Sequence, residues 1–232
     1  MSTTPPRISV SLSALPLGRL SDTLGGLAAA GASELYLPVS DGRLAPLCGA
    51  GPVLAAEAAG WGGPAAHLHL MIEHPAHHIK PLAAALDGAA GARMTVQLEG
   101  CNHPHRVLGR IRDAGLSPGV ALWPGTPLYK LEYLLGLADR VVLLAAEPGG
   151  GKALPGVLAE RVRLLSENLR HRELRVDVMA AGLRDTAEMA TAARLGAGTV
   201  LVEDPALFHG EEGPAQALEG FKRALSGAMA RA

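Results

Sequence analysis

Eight short, largely apolar runs recur along the chain, with longer helix-period segments between them. The runs are RISVSLS (7–13), ELYLPV (34–39), AHLHLMI (66–72), RMTVQLE (93–99), GVALW (119–123), RVVLLAA (140–146), LRVDVMA (174–180) and TVLVE (199–203). Strands this continuously apolar are buried on both faces, as in a parallel sheet covered by crossover helices. Between them, 155–170 repeats Val157, Leu158, Val162, Leu165 and Leu169 at helix spacing. The segment 214–230 does the same with Ala217, Leu218, Phe221, Ala224 and Leu225, after Pro214 at the expected first helical position. Small-residue turns at 29–33, 87–92, 113–116 and 194–198 each place a glycine before a run, where a left-handed residue ends a helix.

Eight such units in 232 residues is the arithmetic of a single-domain α/β chain folded as a (β/α)8, or TIM, barrel, with residues 1–6 as a flexible tail. The rival, a doubly wound open sheet, uses fewer strands. No G-x-G-x-x-G turn follows the first run, and no Walker-type loop occurs. A net charge of −1 gives no electrostatic reason to expect a nucleic-acid partner. No stretch is long and apolar enough for a membrane span, so no membrane partner is expected. Two cysteines, Cys48 and Cys101, form no disulfide framework, and the first ten residues lack a signal-peptide pattern. Both point to the cytoplasm.

In a barrel of this kind ligands bind at the C-terminal strand ends. Those ends carry SDGRLAPL (40–47) with Gly51-Pro52, HLHLMIEHP (67–75), GVALWPGTPLYKLEYLL (119–135), EPGGGK (147–152) and GAGTVLVEDPALF (196–208). Together they resemble the ribulose-phosphate 3-epimerase family from about residue 8 to 225. The resemblance implies the barrel fold, a small-molecule ligand and a homo-oligomer. It also implies a divalent metal held by two His and two Asp, with the two Asp moving a proton through a metal-stabilised enediolate. A ligand phosphate would be gripped by loop amides.

Carried over one position at a time, the family's second-strand His falls on Tyr36 and its Asp on Pro38. The third-strand His is kept as His69, and the seventh-strand Asp falls on Ala180. Asp177 is three residues from Ala180 and so on the opposite strand face, where it does not replace the missing ligand. With three of four ligands and both carboxylates substituted, neither a metal nor another cofactor is expected. His69 with Tyr36 is the candidate catalytic pair, weighed against an inherited core histidine and a packing tyrosine. Gly182 and Gly149 retain part of the anion grip, whereas Glu147, Glu203 and Asp204 make it acidic, and Pro205 removes an amide.

Ser11, Met71 and Glu99 complete the expected substrate-binding set, Glu99 being balanced between ligand contact and structural hydrogen bond. Trp123 reads as a filler of vacated space or a stacking surface. His67 points the same way as His69 but deeper, and His74, His77 and His78 decorate a helix entry without zinc spacing. Asp41, Gly42 and Arg43 read as loop architecture, with Arg43 pairing to a neighbouring carboxylate. The leading functional expectation is an isomerase or epimerase-type enzyme for a sugar or polyol derivative, without the metal and with a degraded phosphate site. The alternatives are an inactive paralogue that binds a metabolite or protein, and ordinary ribulose 5-phosphate 3-epimerase activity.

Overall fold

The computed structural model describes residues 4–231 apart from 17, 19, 47–50, 52, 55, 56, 58, 59, 61, 62, 87, 88, 148 and 150. Cys48, Pro52, Pro148 and Gly150 therefore lie outside the described residues. Eight parallel strands form one closed barrel in chain order, the last pairing with the first. They are β1 (Arg7–Ser11), β2 (Glu34–Ser40), β3 (Ala65–Met71), β4 (Arg93–Gln97), β5 (Ser117–Leu122), β6 (Arg140–Leu144), β7 (Asp177–Ala181) and β8 (Thr199–Val202). The described helices are α1 (Leu20–Ala29), α2 (Ile79–Ala85), α3 (Pro104–Asp113), α4 (Pro155–His171), α5 (Thr186–Arg194), α6 (Pro205–Phe208) and α7 (Pro214–Ala230). Each of the eight apolar runs is a strand. Of the expected tail, Thr4 and Pro5 are exposed but Pro6 is already buried against the fold.

The seventh strand starts later than its apolar run. Glu173 takes a left-handed backbone (φ 56°) after α4, and Leu174 N–H caps the helix on Leu169 O at 2.9 Å. Pairing with β6 begins only at Arg140 opposite Asp177. Helix faces also differ in detail from the periodic pattern. Leu158, Val162, Leu165 and Leu169 of α4 are buried, but Val157 is 45% exposed; in α7, Ala228 is buried and Ala224 is exposed. The turn glycines Gly31, Gly91, Gly115 and Gly196 all have positive φ. Gly196 has a second constraint, since a Cβ there would stand 2.3 Å from Ser166 Oγ.

Strand alternation divides the buried side chains into two cores. One set, including Val10, Leu37, Leu68, Val96 and Val200, packs outward on the helices. The other faces the barrel axis, where Tyr36, Ala121, Val142, Leu144, Met179, Ala181 and Leu201 pack together. Below this apolar layer lies a polar one. Arg140, 2% exposed, donates through Nε to Asp177 Oδ2 at 2.8 Å and through Nη1 to Glu34. Glu34 also meets His67 Nδ1 at 3.2 Å and Arg93 Nε at 3.5 Å. Asp177 accepts from Thr199 at 3.0 Å and Arg7 at 2.8 Å, and His67 Nε2 stands 2.8 Å from Thr95 Oγ1. Gly119 leaves room for this, because a Cβ there would lie 2.2 Å from Thr95 Oγ1. Burial alone would raise the Glu34 carboxyl, but His67 and Arg140 overcome it and hold the group well below the usual range.

Removing one partner of such a network leaves a charge buried and unpaired. Arg140→Met is expected to cost about 3–5 kcal/mol in urea unfolding, and a loss under about 1 kcal/mol, the size of a surface pair, would show the network to be dispensable.

Candidate functional site

A cavity of about 710 Å³ opens at the C-terminal strand ends. Ser11 and Ser13 line it from β1 and the following turn, Tyr36, Pro38 and Ser40 from β2, and Met71 from β3. The loop after β6 adds Glu147 and Gly149, the end of β7 adds Ala181, Gly182 and Arg184, and the residue after β8 adds Glu203. Another cavity, of about 650 Å³, lies outside the barrel between Leu128–Leu135 and α4 and reaches no strand end.

The register brings the expected pair together. Pro38 and His69 are opposite one another across β2 and β3, as are Tyr36 and His67, so Tyr36 lies diagonal to His69. The Tyr36 hydroxyl meets His69 Nδ1, and His69 Nε2 stands 2.9 Å from Gln97 Oε1. Gln97 Nε2 donates in turn to Glu99. One tautomer satisfies every contact: Tyr36 O–H donates to Nδ1, and Nε2–H donates to Gln97. His69 is fully buried behind Tyr36 and takes no part in lining the cavity. Burial, helped by His67, lowers the His69 imidazole to about 3. Burial, then Glu203 and Glu34, raises the Tyr36 phenol. Both groups are neutral at pH 7, and a side-chain amide transmits hydrogen bonds rather than protons, so this string orients Tyr36.

Glu99 lies at the end of that string, away from the cavity wall. It accepts from Trp123 N at 3.0 Å and from the Thr126 hydroxyl, pinning the turn after β5. Arg161 of α4 holds the same turn through Trp123 O at 2.7 Å and Thr126 O at 2.8 Å. Trp123 packs over the axial apolar layer. Asp204 also lies off the cavity wall, where its side chain caps α6 by accepting from Ala206 N at 3.0 Å.

Glu203 is the acidic group that does reach the cavity. Its Oε1 accepts from Gly182 N at 2.8 Å, and burial raises its carboxyl against the pull of that amide and Arg184. Gly182 has φ +81°, with Ala145 N only 3.1 Å from where a Cβ would stand. Gly149 (φ +82°) packs on Pro46, bringing the loop after β6 against the loop after β2. Ser11 Oγ lies 2.7 Å from Ser13 Oγ. In the β2 loop Asp41 accepts from Arg43 N at 2.9 Å, Leu44 N at 3.1 Å and Glu73 N at 2.9 Å, and Arg43 reaches Glu73 at 3.7 Å.

The seventh-strand position needs correction. Asp177, Met179 and Ala181 share the axial face, while Ala180 packs outward on the helices. The side chain presented to the mouth at this strand end is therefore Ala181. Asp177 does face inward, but at the base, paired to Arg140. The face of an apolar run cannot be set without knowing where its pairing starts, and the run's first three residues lie outside the strand. Ser13, Ser40 and Arg184 were not anticipated. Arg184 had one available signal, its place two residues after the glycine that follows β7.

A sequence profile described as the ribulose-phosphate 3 epimerase family matches residues 7–208. The chain belongs to that family. Ribulose-phosphate 3-epimerase of Synechocystis is 29% identical over 168 residues, spanning 72% of each chain. The Bacillus subtilis enzyme is 27% identical over 188 residues, 79% of this chain and 84% of its own. Among solved structures, a mutant tryptophan synthase α-subunit of Pyrococcus furiosus superposes with a TM-score of 0.66 at 16% identity, covering 96% of this chain and 98% of that one. Phosphoribosyl anthranilate isomerase of Thermus thermophilus gives 0.62 at 16% identity, covering 97% and 98%. At such identity these two speak to the barrel alone. The family relationship supports an epimerase-like small-molecule function, and no described helix is long and apolar enough to cross a membrane.

The buried neutral histidine has a pH consequence. A group whose folded value is depressed binds more protons when unfolded, so stability falls as pH drops from about 6.5 towards about 3. His69→Gln, measured by urea midpoints at pH 7 and pH 5, is expected to show a smaller acid loss than the wild type. Equal losses would remove His69 as the source.

Proposed function

We propose that this epimerase-family barrel binds an unphosphorylated sugar or polyol derivative and moves a proton on it without a divalent metal. Glu203 carries the reading: it is a partly buried carboxyl on the cavity wall, raised by burial above the ordinary carboxylate value. Tyr36 lines the same wall with its hydroxyl given to His69, and Ser11, Ser13 and Ser40 offer hydroxyls to a polyhydroxylated ligand.

The donors available do not fit the family's metal. Tyr36, Pro38 and Ala181 stand at three of the strand-end positions, and both nitrogens of His69 are engaged by Tyr36 and Gln97. Among the described residues no three His, Cys, Asp or Glu side chains converge as metal ligands. No catalytic step is therefore assigned to a metal ion. Glu203 as base takes a proton from carbon next to a carbonyl and returns it as the conjugate acid, while the Ser hydroxyls hold the ligand.

A second reading, a ligand-binding protein without turnover, is favoured by the neutral Tyr36–His69 pair. Thermal-shift titration with ribulose and xylulose, joined to NMR in heavy water, separates the two. The enzyme reading expects saturable binding and deuterium entry at the carbon beside the carbonyl, at least about tenfold slower in Glu203→Gln. Binding with no deuterium entry favours the second reading. A shift with ribulose 5-phosphate but none with ribulose contradicts the unphosphorylated ligand.

A further inference from the structure

The cavity wall contains a donor set suited to an anion. Gly182 turns its amide into the mouth from a left-handed backbone, and Arg184 stands two residues on at the rim. Among the described residues Arg184 is the cation on that wall. Backbone N–H groups at such a turn, backed by a guanidinium, make an anion-binding concavity. Here the anion belongs to the chain itself. Glu203, from the neighbouring β8 end, places Oε1 2.8 Å from Gly182 N and lies within the field of Arg184.

Its other oxygen, Oε2, makes no hydrogen bond to any described residue. Glu147 faces the same cavity from the loop after β6. A phosphate ester entering this mouth meets an occupied amide and two carboxylates, whose repulsion across a few ångströms opposes it. A neutral polyol brings no charge against them, and Oε2, without a hydrogen bond among the described residues, stays available for the proton step proposed above.

We propose that Glu203 is the specificity-determining residue of the mouth: its carboxylate occupies the anion position at Gly182 and Arg184, so the site takes hydroxyl-terminated polyols and rejects phosphate esters. The inference rests on the unphosphorylated-ligand reading above and names the device that enforces it. Rejection here needs no remote element, because the competing anion is covalently attached and has the effective concentration of an intramolecular partner. Replacing Glu203 by a short neutral side chain vacates the amide and lifts one of the two repelling charges.

The test uses inorganic phosphate, ribulose 5-phosphate and ribulose as probes in isothermal titration of the whole chain. Wild type, Glu203→Ser, Glu203→Gln and Glu203→Ser/Arg184→Ala are compared, with circular dichroism to confirm folding. Glu203→Ser is expected to bind both phosphate probes at least about tenfold more tightly than wild type, and the added Arg184→Ala to remove most of the gain. Glu203→Gln, which keeps the hydrogen bond to Gly182 and drops the charge, is expected to gain less. It also serves as the charge test if Glu203→Ser does not fold. Folded variants with no gain, or a wild type that already binds phosphate as well as Glu203→Ser, overturn the inference. A wild type that ignores ribulose as well as phosphate removes the polyol reading of the previous section. The gain in Glu203→Ser then still decides the role of Glu203.

Discussion

The guanidinium of Arg140 is the contact on which the rest of this barrel depends. It lies on the axis at the base, with Glu34 of β2 on one side and Asp177 of β7 on the other. Closing eight parallel strands brings their inward side chains into layers, each supplied by alternate strands. Glu34, Arg93, Arg140 and Thr199 are the first residues of β2, β4, β6 and β8. They meet in one polar layer because the even strands share a level. A buried charge layer gives little net stability over an apolar one, but any register slip would strand its charges without partners. That penalty, together with the apolar layer above it, fixes which residues reach the mouth.

From that base the axial polarity continues upward in one direction. His67 links Glu34 to Thr95, and Tyr36 stacks edge-on to His67 with ring centroids 5.3 Å apart before meeting His69. His69 then passes to Gln97 and Glu99, and Glu99 holds the turn at Trp123. His67 and His69 of β3 thus serve the interior of the barrel. The cavity is lined by Tyr36, Pro38 and Met71 from β2 and β3 and by Ser11, Gly182, Arg184 and Glu203 from the β1, β7 and β8 ends.

Much of this was legible in the chain. The eight runs and their glycine turns are local signals, and local signals survive tertiary packing well. The pairing of Tyr36 with His69 was also legible, because same-face residues on adjacent parallel strands come within reach even when diagonal to one another. The face of Ala180 was not, since a single residue of uncertainty in where β7 starts exchanges axis for helix. Val157 misled for a related reason: the helical pattern is apolar there, yet α4 turns that residue to solvent. The roles of Glu99 and Asp204 were hidden by chemistry. A carboxylate at a strand end can serve a ligand, a turn or a helix cap, and only the nearest N–H decides which.

By itself the sequence determined the eight-stranded α/β barrel, its strand ends, and the residue types, Tyr36 and Pro38, that stand near the mouth end of β2. Periodicity, turn glycines and residue identity suffice for these, because each depends on a few neighbours along the chain. Tertiary structure alone decided that Arg140 meets Glu34 and Asp177, that Tyr36 screens His69 from the mouth, and that Glu203 sits on the Gly182 amide. Those contacts join residues 21 to 106 positions apart. Their geometry follows from strand register and loop path, which no local stretch of sequence encodes.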